Sequence, residues 1–211
     1  MPLLDSAQSY TFSKYFELRF ESSELAEELG YSLSRKDIQF LSFEGDLPFL
    51  VELKQRIQDV LPHVALTSEL AKREILIAPV ITELIRFTQA ELRIEYPLKV
   101  SNYLQGSLDY LLRMDSSHAL IVISLCFDDI ESGFTQLLAE LVAIDRWEKA
   151  PQSTLLVGAV STGNLWQFGT LDRTTKQFTQ GINAYRVPSD LDPLVRVLVS
   201  VLQNGTRALQ A

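Results

Sequence analysis

The sequence predicts an α/β fold in which a mixed central sheet carries helices on both faces. Residues 119–127 are almost entirely apolar, which is typical of a central strand covered on both sides. Segments with helical spacing precede and follow this strand. The chain has 211 residues, of which 46% are hydrophobic and 22% charged, enough to form one substantial core. We therefore expect a single domain, with residues 1–66 as a helical and strand extension and residues 67–211 as the core.

The first third of the chain predicts short elements followed by one long helix. Residues 10–20 are rich in aromatics and are expected to be irregular. A helix over 24–29 ends at Gly30, residues 31–43 favour one or two strands, and residues 49–60 have helical spacing. Thr67 or Ser68 is placed to cap the long helix, and Pro79 should kink it or mark a new first turn.

The remainder of the chain predicts alternating strands and helices. A helix begins after Asp128-Asp129, of which Asp128 is the expected cap, and runs over residues 130–148. A second helix closes the chain over residues 188–203. The predicted strands cover residues 91–100, 103–112, 119–127, 153–161 and 165–170, with a short edge strand over 176–179.

Composition limits the classes of function. The net charge of −8 argues against an extended basic surface for nucleic acid, although it does not exclude a local one. The single cysteine, Cys126, cannot form an intrachain disulfide. The N-terminus lacks the pattern of a signal peptide, and no apolar run approaches the length of a membrane span. We therefore expect a cytoplasmic protein without a membrane role, and a homodimer stays open.

The stretch with the most chemical information is Gly106-Ser107-Leu108-Asp109-Tyr110-Leu111-Leu112, followed by the apolar strand that contains Ser124 and Cys126. Because side chains alternate along a strand, Ser124 and Cys126 share one face. We expect them to lie across the sheet from Asp109, with the two strands adjacent. The side chains of Asp109 and Ser124 should then lie close together.

This order of elements, with Asp109 in this place, resembles the restriction endonuclease-like, or PD-(D/E)XK, superfamily over residues 67–170. It is similar in particular to the N-terminal nuclease domains of type I restriction subunits. That resemblance implies a restriction endonuclease-like fold in which Asp109 belongs to the active site. Glu69, in the first turn of the long helix, corresponds to the leading Glu of that family, and Gln136 to the Gln that follows its last catalytic strand.

The resemblance also implies that the catalytic chemistry is lost. In the superfamily a Glu-x-Lys pair follows the Asp, and here Ser124 and Cys126 stand in those two places. Ser124 brings no negative charge, and a thiol is a poor ligand for Mg²⁺, which prefers hard oxygen ligands. We expect a vestigial site of Asp109, Ser124, Cys126, Gln136 and Glu69, with no metal and no other cofactor.

Three functions follow from this reading of the sequence. The favoured one is a catalytically inactive member of the superfamily, retained for binding or assembly. The second is an active Mg²⁺-dependent nuclease whose carboxylates have migrated, and the third is a purely structural or interaction protein. Glu69 and Glu140 could approach the site from helices, but for both we expect a solvated position on a helix surface. Gln136 is likewise expected to be a polar residue near a helix start.

Other chemistries have weaker support. Cys126 with His118 or His63 is an unfavourable thiol and base pair, because His118 lies eight residues away on the same strand. Trp166 and Phe168 alternate on one strand face, where packing on the sheet is favoured over stacking on bases. A basic rim near the site could be formed, but scattered solvated charge is favoured for its members: Arg73, Arg86, Arg93, Lys99 and Arg113.

Overall fold

One seven-stranded sheet organises the computed structural model of the chain, which describes residues 3–4, 8–18, 20–126, 129–149 and 152–209. The strand order within these residues is β1-β7-β6-β5-β4-β3-β2. The pairs β1–β7 and β4–β5 are parallel and the other four pairs are antiparallel, so the predicted mixed sheet is confirmed. The strands are β1 (Ser32–Lys36), β2 (Glu91–Lys99), β3 (Gln105–Met114), β4 (Ala119–Leu125), β5 (Leu155–Ser161), β6 (Leu165–Asp172) and β7 (Gln177–Arg186).

Helices cover both faces of this sheet, as the apolar central strands predict. On one face lies α6, and α1 and α2 pack on α6 from outside. On the other face lie α3, α5 and α7, which bury their apolar sides against the sheet. The helices are α1 (Phe12–Leu18), α2 (Ser22–Glu28), α3 (Leu50–Val60), α4 (Glu69–Lys72), α5 (Ala78–Thr88), α6 (Ile130–Asp145) and α7 (Leu191–Asn204). Within the described residues, no helix has both the length and the apolarity to cross a membrane.

Helix α6 is the crossover between the parallel strands β4 and β5, and it is buried along nearly its whole length. Every residue from Ser132 to Ile144 is buried. The helix approaches the sheet closely at Gly133, where a Cβ atom would lie 2.5 Å from Cγ1 of Val160 and 3.0 Å from Sγ of Cys126. An alanine at position 133 would therefore push α6 away from Val160 on β5 and from Cys126, which directly follows β4.

The long helix predicted after residue 67 is divided, and Pro79 marks a new first turn rather than a kink, which confirms the second of the two predicted alternatives. The Ser68 side chain caps α4 by accepting a hydrogen bond from the N–H of Ala71 at 3.1 Å, which confirms one of the two predicted caps. A π-helical turn, Arg73–Ile77, then separates α4 from α5, and Pro79 lies in the first turn of α5. Proline has no N–H to donate, so the first turn is where it is tolerated.

Two sequence predictions about the ends of the chain are wrong. Residues 10–20 are not irregular, since they contain α1, whose Phe12 and Tyr15 are buried. The short edge strand predicted over 176–179 is the beginning of β7, a ten-residue strand between β1 and β6. The N-terminal segment contributes β1 to the same sheet through parallel pairing with β7. The expected cap Asp128 lies outside the described residues, and the Asp129 side chain accepts a hydrogen bond from the N–H of Glu131.

Asp145, the last residue of α6, joins three parts of the chain. Its carboxylate accepts hydrogen bonds from Tyr31 at 2.6 Å, from Arg173 at 2.7 Å and from Lys176 at 2.6 Å. Tyr31 immediately precedes β1, and the two basic residues lie in the turn between β6 and β7. Burial alone would raise the pKa of the Asp145 carboxyl, but the hydrogen bonds from Lys176, Tyr31 and Arg173 outweigh it and lower the pKa below its ordinary value.

We expect Asp145→Asn to lower the free energy of unfolding by about 2 kcal/mol at pH 7, because charged hydrogen-bond partners lose their carboxylate. Because the folded-state pKa of Asp145 is lowered, its contribution to stability is fully present above the pKa of the unfolded chain, near 4. The contribution is lost as the pH falls through the lower folded-state pKa. Urea unfolding at pH 7 and near pH 3 should therefore show a difference between variant and wild type that shrinks in acid.

The matched control is Asp192→Asn, which also removes a carboxylate from an arginine. Asp192 pairs with Arg196 at 3.0 Å, but its side chain is 58% exposed. An exposed pair of this kind contributes little, so we expect a change of about 0.5 kcal/mol or less. Equal losses in the two variants would contradict a linking role for Asp145.

Candidate functional site

A cleft of about 520 Å³ opens at the end of β4, between the sheet, α1, α4 and the start of α6. Its wall combines apolar surface from Phe16, Leu70 and Leu125 with a group of charged and amide side chains. These polar side chains belong to Glu17, Glu69, Arg73, Glu95, Asp109 and Gln136. Three of the five residues predicted for the vestigial site, Glu69, Asp109 and Gln136, therefore line one cleft.

Asp109 lies on β3, next to β4, as the sequence predicts. The antiparallel register pairs Tyr110 with Ile123, and the next residues along the two strands are Asp109 and Ser124. The Asp109 carboxylate accepts a hydrogen bond from the backbone N–H of Leu125 at 2.8 Å. It therefore occupies the end of the β3–β4 ladder and faces the cleft.

Behind Asp109, the three residues Ser124, Gln136 and Glu140 form one buried network. The Ser124 hydroxyl donates to Oε2 of Glu140, and Nε2 of Gln136 donates to Oε1 of Glu140 at 2.8 Å. Glu140 and Ser124 are 0% exposed and Gln136 is 8% exposed. The expectation of solvated positions is therefore wrong for Glu140 and Gln136, because α6 is enclosed between the sheet and the N-terminal helices.

The two carboxyls of the site share an unfavourable electrostatic environment. Burial, and then the negative charge of Asp109, raise the pKa of Glu140 to about 8. Burial is also the main cause that raises the pKa of Asp109 to about 6. Glu95 and Glu69 raise it further, while the Leu125 N–H and Arg73 oppose the shift. At neutral pH the pair therefore holds one proton, which resides mainly on Glu140.

Cys126 does not take part in the cleft. It is 0% exposed, its N–H donates to the carbonyl of Ser161 at 2.9 Å, and its sulfur packs beneath Gly133. His118 lies in the turn before β4, at the other end of that strand, and His63 lies in a 3₁₀ turn after α3. The structure thus gives Cys126 the environment of a small buried apolar residue, and no histidine is positioned to activate its thiol.

Arg73 brings the one positive charge found among the cleft-lining residues that the structure describes, and it is already paired. Its guanidinium donates to Glu95 at 2.7 Å and to the Tyr110 hydroxyl at 3.0 Å, and it lies 5.0 Å from the centre of the Tyr110 ring. Glu95 has a φ of +50°, which is unfavourable for a residue with a side chain, and it occupies the register position opposite Asp109. This strained residue holds Arg73 over the strand pair that carries Asp109.

The residues present do not fit Mg²⁺, the metal that the resemblance implies for an active nuclease. Asp109 provides one ionised carboxylate, but Glu140 is buried, largely protonated and already bonded to Ser124 and Gln136. Glu69 and Glu95 line the same cleft. Nevertheless, across the described part of the chain, no group of three or more Asp, Glu, His and Cys side chains is arranged to hold a metal ion.

Four of the five members of the hypothetical basic rim have acidic partners, and no ion pair joins Lys99 to a described residue. Arg73 pairs with Glu95, and three further members have a carboxylate within 3.0 Å: Arg86 with Glu83, Arg93 with Glu91, and Arg113 with Asp115. Trp166 and Phe168 are 0% and 2% exposed. The ring of Phe168 packs against those of Phe40 and Tyr185. Packing on the sheet, rather than stacking on bases, is therefore confirmed for both aromatics.

Glu140 is the residue that sequence reasoning misplaced, although the sequence holds a signal for it. Between Phe134 and Ile144, helix α6 is apolar on all sides except at Thr135, Gln136 and Glu140. A helix that is apolar all round is a buried helix. Two polar residues four positions apart within such a helix face each other and are expected to pair in the core.

A scan against models of known protein families found no match to this chain, and neither did a search of the curated proteins.

We expect Glu140→Gln to stabilise the protein above pH 7. The folded-state pKa of Glu140 is raised, so between its ordinary value of 4.5 and about 8 the folded state binds more protons than the unfolded chain. Stability therefore falls as the pH rises through this window. Glutamine cannot ionise, so the variant should gain about 2 kcal/mol or more over wild type on going from pH 5 to pH 8. Urea unfolding across this range measures the difference.

Glu131→Gln is the matched control on the same helix. Glu131 pairs with Arg35 at 2.8 Å and is 57% exposed, so its removal should alter stability by less than about 1 kcal/mol at every pH. If Glu140→Gln and wild type keep a constant difference between pH 5 and pH 8, Glu140 does not hold a proton in the folded state.

Proposed function

We propose that this chain is a catalytically inactive, cytoplasmic protein with a restriction endonuclease-like fold, whose cleft is retained for binding or assembly. The observation that carries the proposal is the complete burial, close to Asp109, of the Glu140 carboxyl, which raises its pKa to about 8. Phosphodiester hydrolysis in this superfamily needs a divalent metal held by ionised oxygen ligands. At neutral pH the Glu140 carboxyl is buried and largely uncharged, so it does not give Asp109 a second ionised carboxylate, and Glu95 is already paired with Arg73.

The two positions that should complete the catalytic motif support the same proposal. Ser124 uses its hydroxyl to bond Glu140, and Cys126 is packed between β4 and Gly133. Neither brings charge to the cleft, and none of the described residues that line the cleft is a lysine. A lysine would be needed to position the attacking water and to stabilise negative charge in the transition state.

The charge of the surrounding surface favours a partner other than nucleic acid. Arg73, the one arginine among the described residues that line the cleft, is held by Glu95, so it is not free to replace a counterion on a phosphate backbone. The cleft instead combines exposed apolar surface at Leu70 with the carboxylates of Glu17 and Glu69. Mixed apolar and charged surface of this kind suits a protein partner, including a second copy of this chain.

An active nuclease with migrated carboxylates is the second candidate. The observation that favours it is the position of Glu140, which reaches from α6 to the sheet face that carries Ser124 and Asp109. Metal binding there would have to remove the proton from Glu140 and compete with its hydrogen bonds to Ser124 and Gln136. This candidate therefore predicts metal binding that strengthens as the pH rises.

We expect no cleavage of plasmid, single-stranded DNA or RNA with Mg²⁺ or Mn²⁺. Added Mn²⁺ should leave the thermal midpoint of the wild-type protein unchanged, because only a ligand that binds the folded state raises the midpoint by mass action. Both measurements should be made at pH 7 and pH 9, where Glu140 is mainly protonated and mainly ionised respectively.

The variants Asp109→Asn and Glu140→Gln decide between the two candidates, with Glu131→Gln as the control. If Mn²⁺ raises the wild-type midpoint, and Asp109→Asn and Glu140→Gln abolish both the rise and cleavage while Glu131→Gln does not, the protein is a nuclease and our proposal is wrong. Cleavage that persists in Asp109→Asn would point to a contaminating enzyme.

A further inference from the structure

A second depression, of about 490 Å³, lies at the opposite end of the sheet from the cleft. Its walls are the turn before β4, the residues that precede β5, the end of α7 and the 3₁₀ turn Gly205–Ala208. Strands β4 and β5 are parallel and both begin here, whereas the cleft adjoins Leu125, the last residue of β4. The depression therefore shares no lining residue with the candidate site.

The walls of this depression are fixed to one another. The Ser117 hydroxyl donates a hydrogen bond to the carbonyl of Leu202, which links the turn before β4 to α7. Gly205 has a φ of +57°, and a Cβ atom there would lie 2.6 Å from the carbonyl oxygen of Ser117. His118 has a φ of +53°, an unfavourable conformation for a histidine. The turn before β4 is thus fixed to the end of α7.

The chemistry of the lining is polar and contains no acid. All the lining side chains carry a hydroxyl, an amide, an imidazole or a guanidinium group. The lining side chains that can donate hydrogen bonds to a ligand include those of His118, Gln152, Thr154, Gln203, Asn204 and Arg207. A depression of this size and composition accommodates a small hydrophilic molecule rather than an apolar one.

Arg207 gives the depression a positive charge that the rest of the described chain does not balance. Eight of the eleven described arginines form ion pairs, and Arg207 forms none with any described residue. Asp115 is the first residue of the turn before β4. It does not line the depression, and it pairs with Arg113 at 3.0 Å. The partial negative charge at the end of α7 is reduced, because the Leu202 carbonyl already accepts a hydrogen bond from Ser117.

We propose that this depression binds a small phosphate monoester of a polyhydroxylated molecule. Arg207 and His118 would contact the phosphate group, since a guanidinium group is a strong donor to phosphate oxygens and an imidazole ring can donate through an N–H. The amides of Gln152, Gln203 and Asn204 offer both donors and acceptors for the hydroxyl groups of the ligand. The site is independent of the cleft, so it does not depend on the nuclease resemblance.

Isothermal titration calorimetry of the full chain with inorganic phosphate, glucose 6-phosphate and glucose tests this assignment. We expect glucose 6-phosphate to bind with a Kd of about 1 mM or tighter, the range of ordinary metabolite affinities. Inorganic phosphate should bind more weakly, and glucose should not bind measurably. Arg207→Gln should weaken the binding of glucose 6-phosphate about tenfold or more, because it removes a charge-assisted contact.

The controls separate this site from general attraction of anions. Arg186→Gln removes the charge of another exposed arginine that has no ion pair with a described residue and lies outside the depression, so it should leave binding unchanged. His118→Asn keeps a residue that tolerates a positive φ and should weaken binding severalfold. The proposal is overturned if no probe binds, if Arg207→Gln binds as well as wild type, or if inorganic phosphate binds as tightly as glucose 6-phosphate, which would indicate an adventitious ion only.

Discussion

The burial of α6 is the constraint on which the rest of the structure depends. This helix joins β4 to β5, contacts the sheet through Gly133 and is covered from outside by α1 and α2. The parallel pair at the centre of the sheet requires such a crossover, so the position of α6 cannot change without breaking the sheet. A helix enclosed in this way has no face where a charge can reach water. Every polar side chain on its buried residues must then find a partner inside the protein, and this condition determines the chemistry of the cleft.

Glu140 satisfies that condition by keeping its proton. An ionised carboxylate buried without a cation is far more costly than a neutral one, and Asp109 nearby adds repulsion rather than compensation. Ser124 and Gln136 then complete the hydrogen bonding of a carboxyl that is neutral at pH 7. The serine in the place of the motif Glu is consistent with this arrangement, because a second acid at position 124 would lie against Glu140 in the same buried space. The polar network behind the cleft is therefore accounted for by the need to keep Glu140 in the core.

Much of the fold could be predicted from the sequence, because apolar periodicity reports burial directly. The strands β2 to β6 and the helices α3, α6 and α7 lie within a few residues of their predicted bounds, whereas the long helix predicted after residue 67 is divided into α4, a π-helical turn and α5. The adjacency of Asp109 and Ser124 followed from two strands joined by a short polar turn. Strand β7 was underestimated since its second half is largely exposed, and its register shifts between Gln167 and Gly169 of β6. Helix α1 was missed because its burial depends on α6, which is remote in sequence. The partners of Glu140 were hidden for the same reason, since Ser124 and Asp109 lie on strands that only the tertiary fold brings to α6.

The distribution of charge extends this argument from the core to the surface. The chain has 27 acidic and 19 basic residues, and most of its described arginines form ion pairs with acidic residues. The surplus is therefore acidic, and around the cleft it includes Glu17 and Glu69, for which a phosphate backbone would be a repulsive partner. At the other end of the sheet, the depression around Arg207 has no acid in its lining. The two ends of one sheet thus present opposite charges, so a negatively charged ligand and a partner of the cleft would bind without competing for the same surface.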